Sequence, residues 1–306
     1  MRNSIETDYL LKDLGTEEYC KLVSESGFTA LNFDLCNVWN SGEMWHGKLP
    51  EHSVFEEPLD NVIKYYQPQL DAFKKYGLSL GQAHAPYPAC LPDRPEAIMP
   101  YAIKIYKRMI EFCSKVGIPY LVIHGVSLYE WDKNNSWEDI EKLNIELFSA
   151  LIPELKGSGV TACMENLPYP VKGIMRKAIC CYPEQAVKLI DALNEMAGEE
   201  VFGFCLDIGH LNLCRNDTRE FILTLGKRLK CLHVHDNYAE KDDHRAPYSG
   251  NIDWEWFLAA LADADYQGDM SFETFHQYAS DYLPKELIPA YVKFIGDAGN
   301  YFIKKI

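Results

Sequence analysis

The stretch FGFCLDIGH (202–210) decides how the rest of the sequence is read. A short apolar run, too brief for a helix and flanked by a glycine, ends abruptly in Asp207 and is followed within three residues by His210. That is the pattern of a buried strand with an ionisable group at its C-terminal end. KCLHVHDN (230–237) repeats it, and so do LSLGQAHA (78–85), YLVIHG (120–125), VTACMENL (160–167) and DMSFETF (269–275). TALNFDL (29–35) and a weaker run near Asn3 to Tyr9 bring the number of such segments to eight.

Helical patterns fill the intervals. They are expected over Thr16 to Glu25, Leu59 to Lys75, Glu96 to Val116, Trp137 to Lys156, Pro183 to Met196, Thr218 to Leu229 and Trp254 to Ala264, with a last one from Lys285 onward. Strands alternating with helices of this length predict an α/β protein with a parallel sheet, and eight repeats predict closure into a (β/α)₈ barrel. No linker or composition break divides the chain, so residues 1–306 are read as one domain. A chain of this size buries about three-quarters of its unfolded surface, which one large core can supply.

In such a barrel the C-terminal strand ends share one face, where active sites lie. Six of the eight runs finish near an ionisable residue: His84, His124, Glu165, Asp207, His233 and Glu273. Strand side chains alternate in direction, so the residue two positions earlier faces the same way. Those residues are Gln82, Val122, Cys163, Cys205, Cys231 and Ser271, all uncharged and suited to a packed layer beneath a site. Any one of the six is explained as well by a hydrogen-bonded core histidine or a helix-capping carboxylate. Six on one face call for a compensating charge, and a bound cation supplies it most economically.

The formal net charge of −15, from 45 acidic and 30 basic residues, disfavours extended contact with nucleic acid or anionic lipid. The N-terminal MRNSIETDYLLKDLG carries no apolar core of signal-peptide length, and no later apolar run reaches the roughly 18 residues of a membrane span. A soluble, cytoplasmic protein is expected. The ten cysteines include no CxxC and mostly sit in apolar runs, which fits reduced, buried thiols.

The sequence resembles the xylose-isomerase-like TIM barrel superfamily, which holds sugar and sugar phosphate isomerases and epimerases together with zinc-dependent apurinic endonucleases. HAPY (84–87), VIHG (122–125), MEN (164–166), LDIGH (206–210), LHVHDN (232–237), DDHRAPYSGNIDW (242–254) and FET (272–274) carry the resemblance, in order along nearly the whole chain. It implies that Glu165, Asp207, His233 and Glu273 are the ligands of one divalent ion. Three carboxylates and one imidazole suit Mn²⁺ first, with Mg²⁺, Co²⁺ or Zn²⁺ as alternatives. In LHVHDN the first histidine aligns as ligand; His235 shares its parity further out.

The same resemblance makes His210 a contact for substrate hydroxyls and places a substrate-contacting arginine at Arg245. The activity implied is sugar isomerisation or epimerisation by proton transfer through a metal-stabilised enediolate, with Glu165 and Glu273 as the acid–base pair. The loops of this face are aromatic, as sugar stacking favours: Trp39, Trp45, His46, Tyr87, Tyr129, Trp131 and Tyr169. Cys36 to Pro58 is a candidate lid, and Lys172, Arg176 and Lys177 are candidate phosphate contacts. Three alternatives remain open at this point. One is a lyase on the same scaffold, an inosose dehydratase or a C-glycoside-cleaving enzyme. A non-catalytic sugar-binding module is another. The last is an apurinic-endonuclease-type phosphodiesterase, because His84, His124, Asp242 and His244 resemble that family's further zinc ligands; in a sugar enzyme His84, His124 and His244 would hold substrate. The partner expected is a small-molecule sugar, and the sequence leaves a homo-oligomer open.

Overall fold

A computed structural model describes residues 1–127, 136–274 and 283–306. Its eight central strands are β1 (Asn3–Glu6), β2 (Ala30–Asp34), β3 (Ser79–His84), β4 (Tyr120–Ile123), β5 (Thr161–Glu165), β6 (Phe202–Asp207), β7 (Leu229–His233) and β8 (Met270–Phe272). All pair in parallel, β1 to β7 each with its sequence neighbours, and β8 pairs with β1, Asn3 lying opposite Met270. A bridge between Val234 and Phe272 joins the chain just past β7 to β8, so the sheet curls into a nearly closed barrel. The chain is a single-domain (β/α)₈ barrel, as its strand count predicts.

Burial on both faces explains why the strands read as continuous apolar runs rather than alternating ones. β6 is buried throughout. The inward layer expected beneath the ionisable strand ends is present: Val122, Cys163, Cys205 and Cys231 form a separate buried cluster in the barrel, with Cys205 directly opposite Cys231. All ten cysteines are free thiols. No helix among the described residues is long and apolar enough to cross a membrane.

Several elements end earlier than the sequence patterns suggest, and each has a local cause. The helix expected over Trp137 to Lys156 stops at Ser149 and resumes as Ile152–Leu155, because Pro153 has no N–H to donate and its ring crowds the preceding turn. The helix from Thr218 ends at Leu225, where Gly226 turns to φ +52° and frees the chain to enter β7. The first strand stops at Glu6, and Asp8–Leu14 is helical. A short helix, Ile208–Leu213, follows β6 directly; the Asp207 carboxylate caps it by accepting from His210 N at 2.6 Å. A two-stranded antiparallel hairpin, Pro168–Val171 with Ile174–Lys177, rises from the end of β5.

Candidate functional site

The C-terminal strand ends converge as the parity of the runs requires. His84, Glu165, Asp207 and His233 are the last residues of β3, β5, β6 and β7, while His124 and Glu273 follow β4 and β8 by one residue. Asp207 and His233 are completely buried, and Glu165 is 1% exposed. A cavity of about 540 Å³ opens on this face, its wall including Glu165, Glu273, His84, His124, His210 and His244, while Asp207 and His233 lie behind that wall. A larger cavity of about 960 Å³ adjoins it through Asp8 and Asp34 but contains none of these imidazoles.

Glu165 is the hub. Its Oε2 lies 3.1 Å from His124 Nε2 and 3.5 Å from His84 Nε2, while Oε1 lies 3.2 Å from His210 Nδ1 and 3.3 Å from His233 Nδ1. The opposite nitrogen of His233 faces Glu273 Oε1 at 3.1 Å, so one imidazole stands between the two glutamates. Asn32 Nδ2 donates to the same Glu273 oxygen at 3.0 Å and steadies it.

Three histidines have one nitrogen committed to the backbone. Nδ1 of His84 bonds Ala85 O at 2.8 Å, Nδ1 of His210 bonds Asn166 O at 2.9 Å, and Nδ1 of His244 bonds Glu273 O at 3.0 Å. A carbonyl accepts only, so Nδ1 carries the proton and Nε2 presents its lone pair when the ring is neutral. Those Nε2 atoms face carboxylates: His84 towards Glu165, and His210 and His244 towards Asp242 Oδ2 at 3.2 and 3.3 Å. Lone pairs facing at such distances need a proton or a cation between them.

The electrostatics say the same. Burial pushes His233 and His244 down, but the facing carboxylates outweigh it and raise both to about 9, Glu273 and Glu165 acting on His233 and Asp242 on His244. His210 is raised well above the usual range against its burial, first by Asp207 and then by Asp242. Burial alone would raise the Glu165 carboxyl, yet His233 and His124 hold it well below the usual range. His124 goes the other way, lowered by burial despite Glu165.

The donor set fits a metal. Donor atoms of Glu165, Asp207 and His233 lie within 4.8 Å of one another, and so do those of His84, His233 and Glu273. Glu273 shares His233 with the first group but meets it on the opposite ring nitrogen, so no single group gathers all four of the expected ligands. Two further groups meet the same limit: His84, His124 and Glu165, and His210, His235, Asp242 and His244. Nδ1 of His235 is buried without a hydrogen-bond partner, and Nδ1 of His233 has only the Glu165 carboxylate at 3.3 Å beside it, so neither nitrogen is committed to the backbone.

Residues 64–295 match the family model for the xylose isomerase-like TIM barrel. The chain belongs to that family. Within the xylose isomerase-like family it is similar to the L-ribulose-5-phosphate 3-epimerase UlaE of Escherichia coli, 23% identical over 203 residues, which cover 65% of this chain and 64% of that protein. It is 26% identical over 172 residues to the uncharacterized protein y4fM of Sinorhizobium fredii, covering 56% of this chain and 52% of the relative, so that match spans about half of the relative's length. Two solved structures share the fold. A D-tagatose 3-epimerase-like protein superposes with a TM-score of 0.68 at 19% identity, covering 97% of this chain and 99% of that one. D-psicose 3-epimerase with D-tagatose from Clostridium cellulolyticum H10 gives 0.69 at 14% identity, covering 99% of both.

Not every residue singled out in the sequence faces the cavity of this xylose isomerase-like barrel. Trp39 is 6% exposed; its indole N–H donates to Tyr87 O at 3.0 Å and its ring packs against Tyr101 and Tyr106. Trp45 and Cys36, from the candidate lid segment, line the cavity in its place, as does Tyr87, stacked on His124 at 4.5 Å. Arg245 is turned aside, with Nε donating to Asp243 at 2.9 Å and its guanidinium over Tyr238. Trp131 and Tyr129 lie outside the described residues. Arg176 and Lys177 line a separate cavity behind the hairpin.

Three participants went unassigned in the sequence reading. Asn32 and Asp34 are polar residues at inward positions of β2, which the parity of TALNFDL would have exposed. Asn166 brackets Asp207, accepting from its N–H at 2.9 Å and donating to its C=O at 2.8 Å.

Proposed function

We propose that the protein is a divalent-metal-dependent sugar or sugar phosphate isomerase or epimerase. The observation that carries this is the placement of Glu165 and Glu273 on either side of His233, both opening onto one cavity. The names of its relatives point the same way, since several are sugar 3-epimerases.

Glu165, Asp207, His233 and Glu273 would hold the ion, with Mn²⁺ the first choice for a carboxylate-rich set that also has an imidazole. When bound, it supplies a Lewis acid that polarises a substrate carbonyl and acidifies the neighbouring C–H. One glutamate then takes that proton, and the other returns a proton to the opposite face of the same carbon or to the adjacent carbon. The Asn32 hydrogen bond occupies Oε1 of Glu273, so its Oε2 is the oxygen for proton transfer. His84, His124, His210 and His244 line the same cavity and are the residues that would bond substrate hydroxyls.

Incubating the metal-loaded protein with a panel of ketoses, aldoses and their phosphates tests the assignment. An isomerase or epimerase gives products of unchanged mass. Loss of water or of an aglycone would assign the chain to the lyases instead.

A second reading is favoured by one observation, the group His210, His235, Asp242 and His244 beside the first site. Two or three ions side by side would suit a phosphodiesterase of the apurinic endonuclease type. The charge of −15 opposes a duplex substrate. Metal analysis returning three ions per chain, with cleavage of abasic DNA, would select this reading over the first.

A further inference from the structure

Behind the hairpin lies a cavity of about 550 Å³ whose lining contrasts with the rest of the molecule. The chain carries 45 acidic residues, yet none lines this pocket, while Arg176, Lys177 and Arg215 do. Among the described residues, none of the three cations forms an ion pair with a carboxylate, whereas Lys188 and Arg228 pair with Glu141 and Asp191. Three cations lining one concave site with no carboxylate among them give it a positive field that an anion would relieve.

The other wall is aromatic. Trp137 and Tyr182 are 39% and 40% exposed, their rings meet edge to face at 6.4 Å, and Lys177 Nζ lies 5.2 Å above the Tyr182 ring. Ile174, 57% exposed, extends the apolar side. Exposed rings gathered in a concave site mark a place where a flat apolar group can be covered. Arg215, in the turn after the helix that carries His210, lines the pocket from a left-handed backbone conformation, φ +54°, that a bulky side chain rarely takes.

We propose that this pocket binds a small anion that joins a phosphate or carboxylate to a planar or apolar body. The two guanidiniums grip the anionic oxygens in paired hydrogen bonds, Lys177 adds a point charge, and Trp137 and Tyr182 cover the body. The site is distinct from the imidazole–carboxylate cavity but shares Tyr169 with it, since that residue lines both. The pocket would hold such a ligand whatever reaction the catalytic cavity performs, and Tyr169 would report its occupancy there.

Titration of the full chain with phenyl phosphate, followed by calorimetry and tryptophan fluorescence, tests this. Binding is expected at one site per chain, tighter than for inorganic phosphate and weakening as salt rises. The double variant Arg176→Gln, Arg215→Gln should bind about tenfold more weakly or worse. Both side chains are exposed, so an unchanged melting temperature of the variant would show that the fold is intact. Absence of saturable binding would overturn the proposal, and so would a double variant that binds as the wild type does, which would place the anion in the catalytic cavity.

Discussion

His235 Nε2 lies 3.0 Å from Asp207 Oδ2, and neither residue is exposed to solvent. Its ring is also stacked on His244, with centroids 3.9 Å apart and planes 15° from parallel. Pinned on two sides, the imidazole has room on its third only because residue 209 is glycine; a Cβ there would overlap the His235 ring. Gly209→Ala should therefore destabilise the protein by about 1–3 kcal/mol through overpacking. Denaturant unfolding and metal retention check this together, since displacing His235 should weaken both; a variant with wild-type values of each would contradict it.

Asn166 holds the backbone of Asp207 by both its N–H and its C=O. Truncation to alanine strands two buried polar groups at the end of β6. We expect Asn166→Ala to cost about 2–4 kcal/mol, with a loss of metal affinity because Asp207 is no longer fixed. Stability equal to wild type would mean that water replaces the amide.

Asp8 lines both the imidazole–carboxylate cavity and the larger one adjoining it, and its carboxyl is pushed up from the ordinary 3.8 to about 7, by burial first and then by Asp34. A raised acid favours the folded state while protonated, so this stability is full below the unfolded value and is lost as pH rises through about 7. Asp8→Asn removes the loss. After allowance for its partial exposure, the variant should gain about 1–2 kcal/mol on wild type between about pH 4 and about pH 8. Urea unfolding at the two pH values measures this, and a gain independent of pH would contradict it.

Much of this architecture was legible in the sequence because a parallel barrel leaves a double signature. Its strands are apolar throughout, and its ionisable residues collect at their C-terminal ends. FGFCLDIGH and KCLHVHDN carry both, and strand parity turns Cys205 and Cys231 into the layer under the site, where the structure sets them opposite each other. The hairpin was hidden because Pro168 and Pro170 argue against strands. An isolated two-stranded ribbon has free edges that tolerate proline, and Lys172 and Gly173, both at positive φ, supply its tight turn. Trp39 has the composition of a sugar-stacking loop residue, but whether an indole faces a ligand or bonds back to Tyr87 depends on a loop path that no local pattern encodes. His235 lies two residues beyond β7, where strand parity alone does not say that Asp207 will meet it.

The central claim is that Glu165 and Glu273 move protons at a substrate carbon. The direct measurement is deuterium uptake from D₂O into a turned-over sugar, by the metal-loaded wild type and by Glu165→Gln and Glu273→Gln. Wild type should label one carbon beside the carbonyl, and each variant should do so about 100-fold more slowly or worse, the range expected when a general acid or base is removed. Undiminished labelling in both variants, with metal content equal to wild type, would contradict the account.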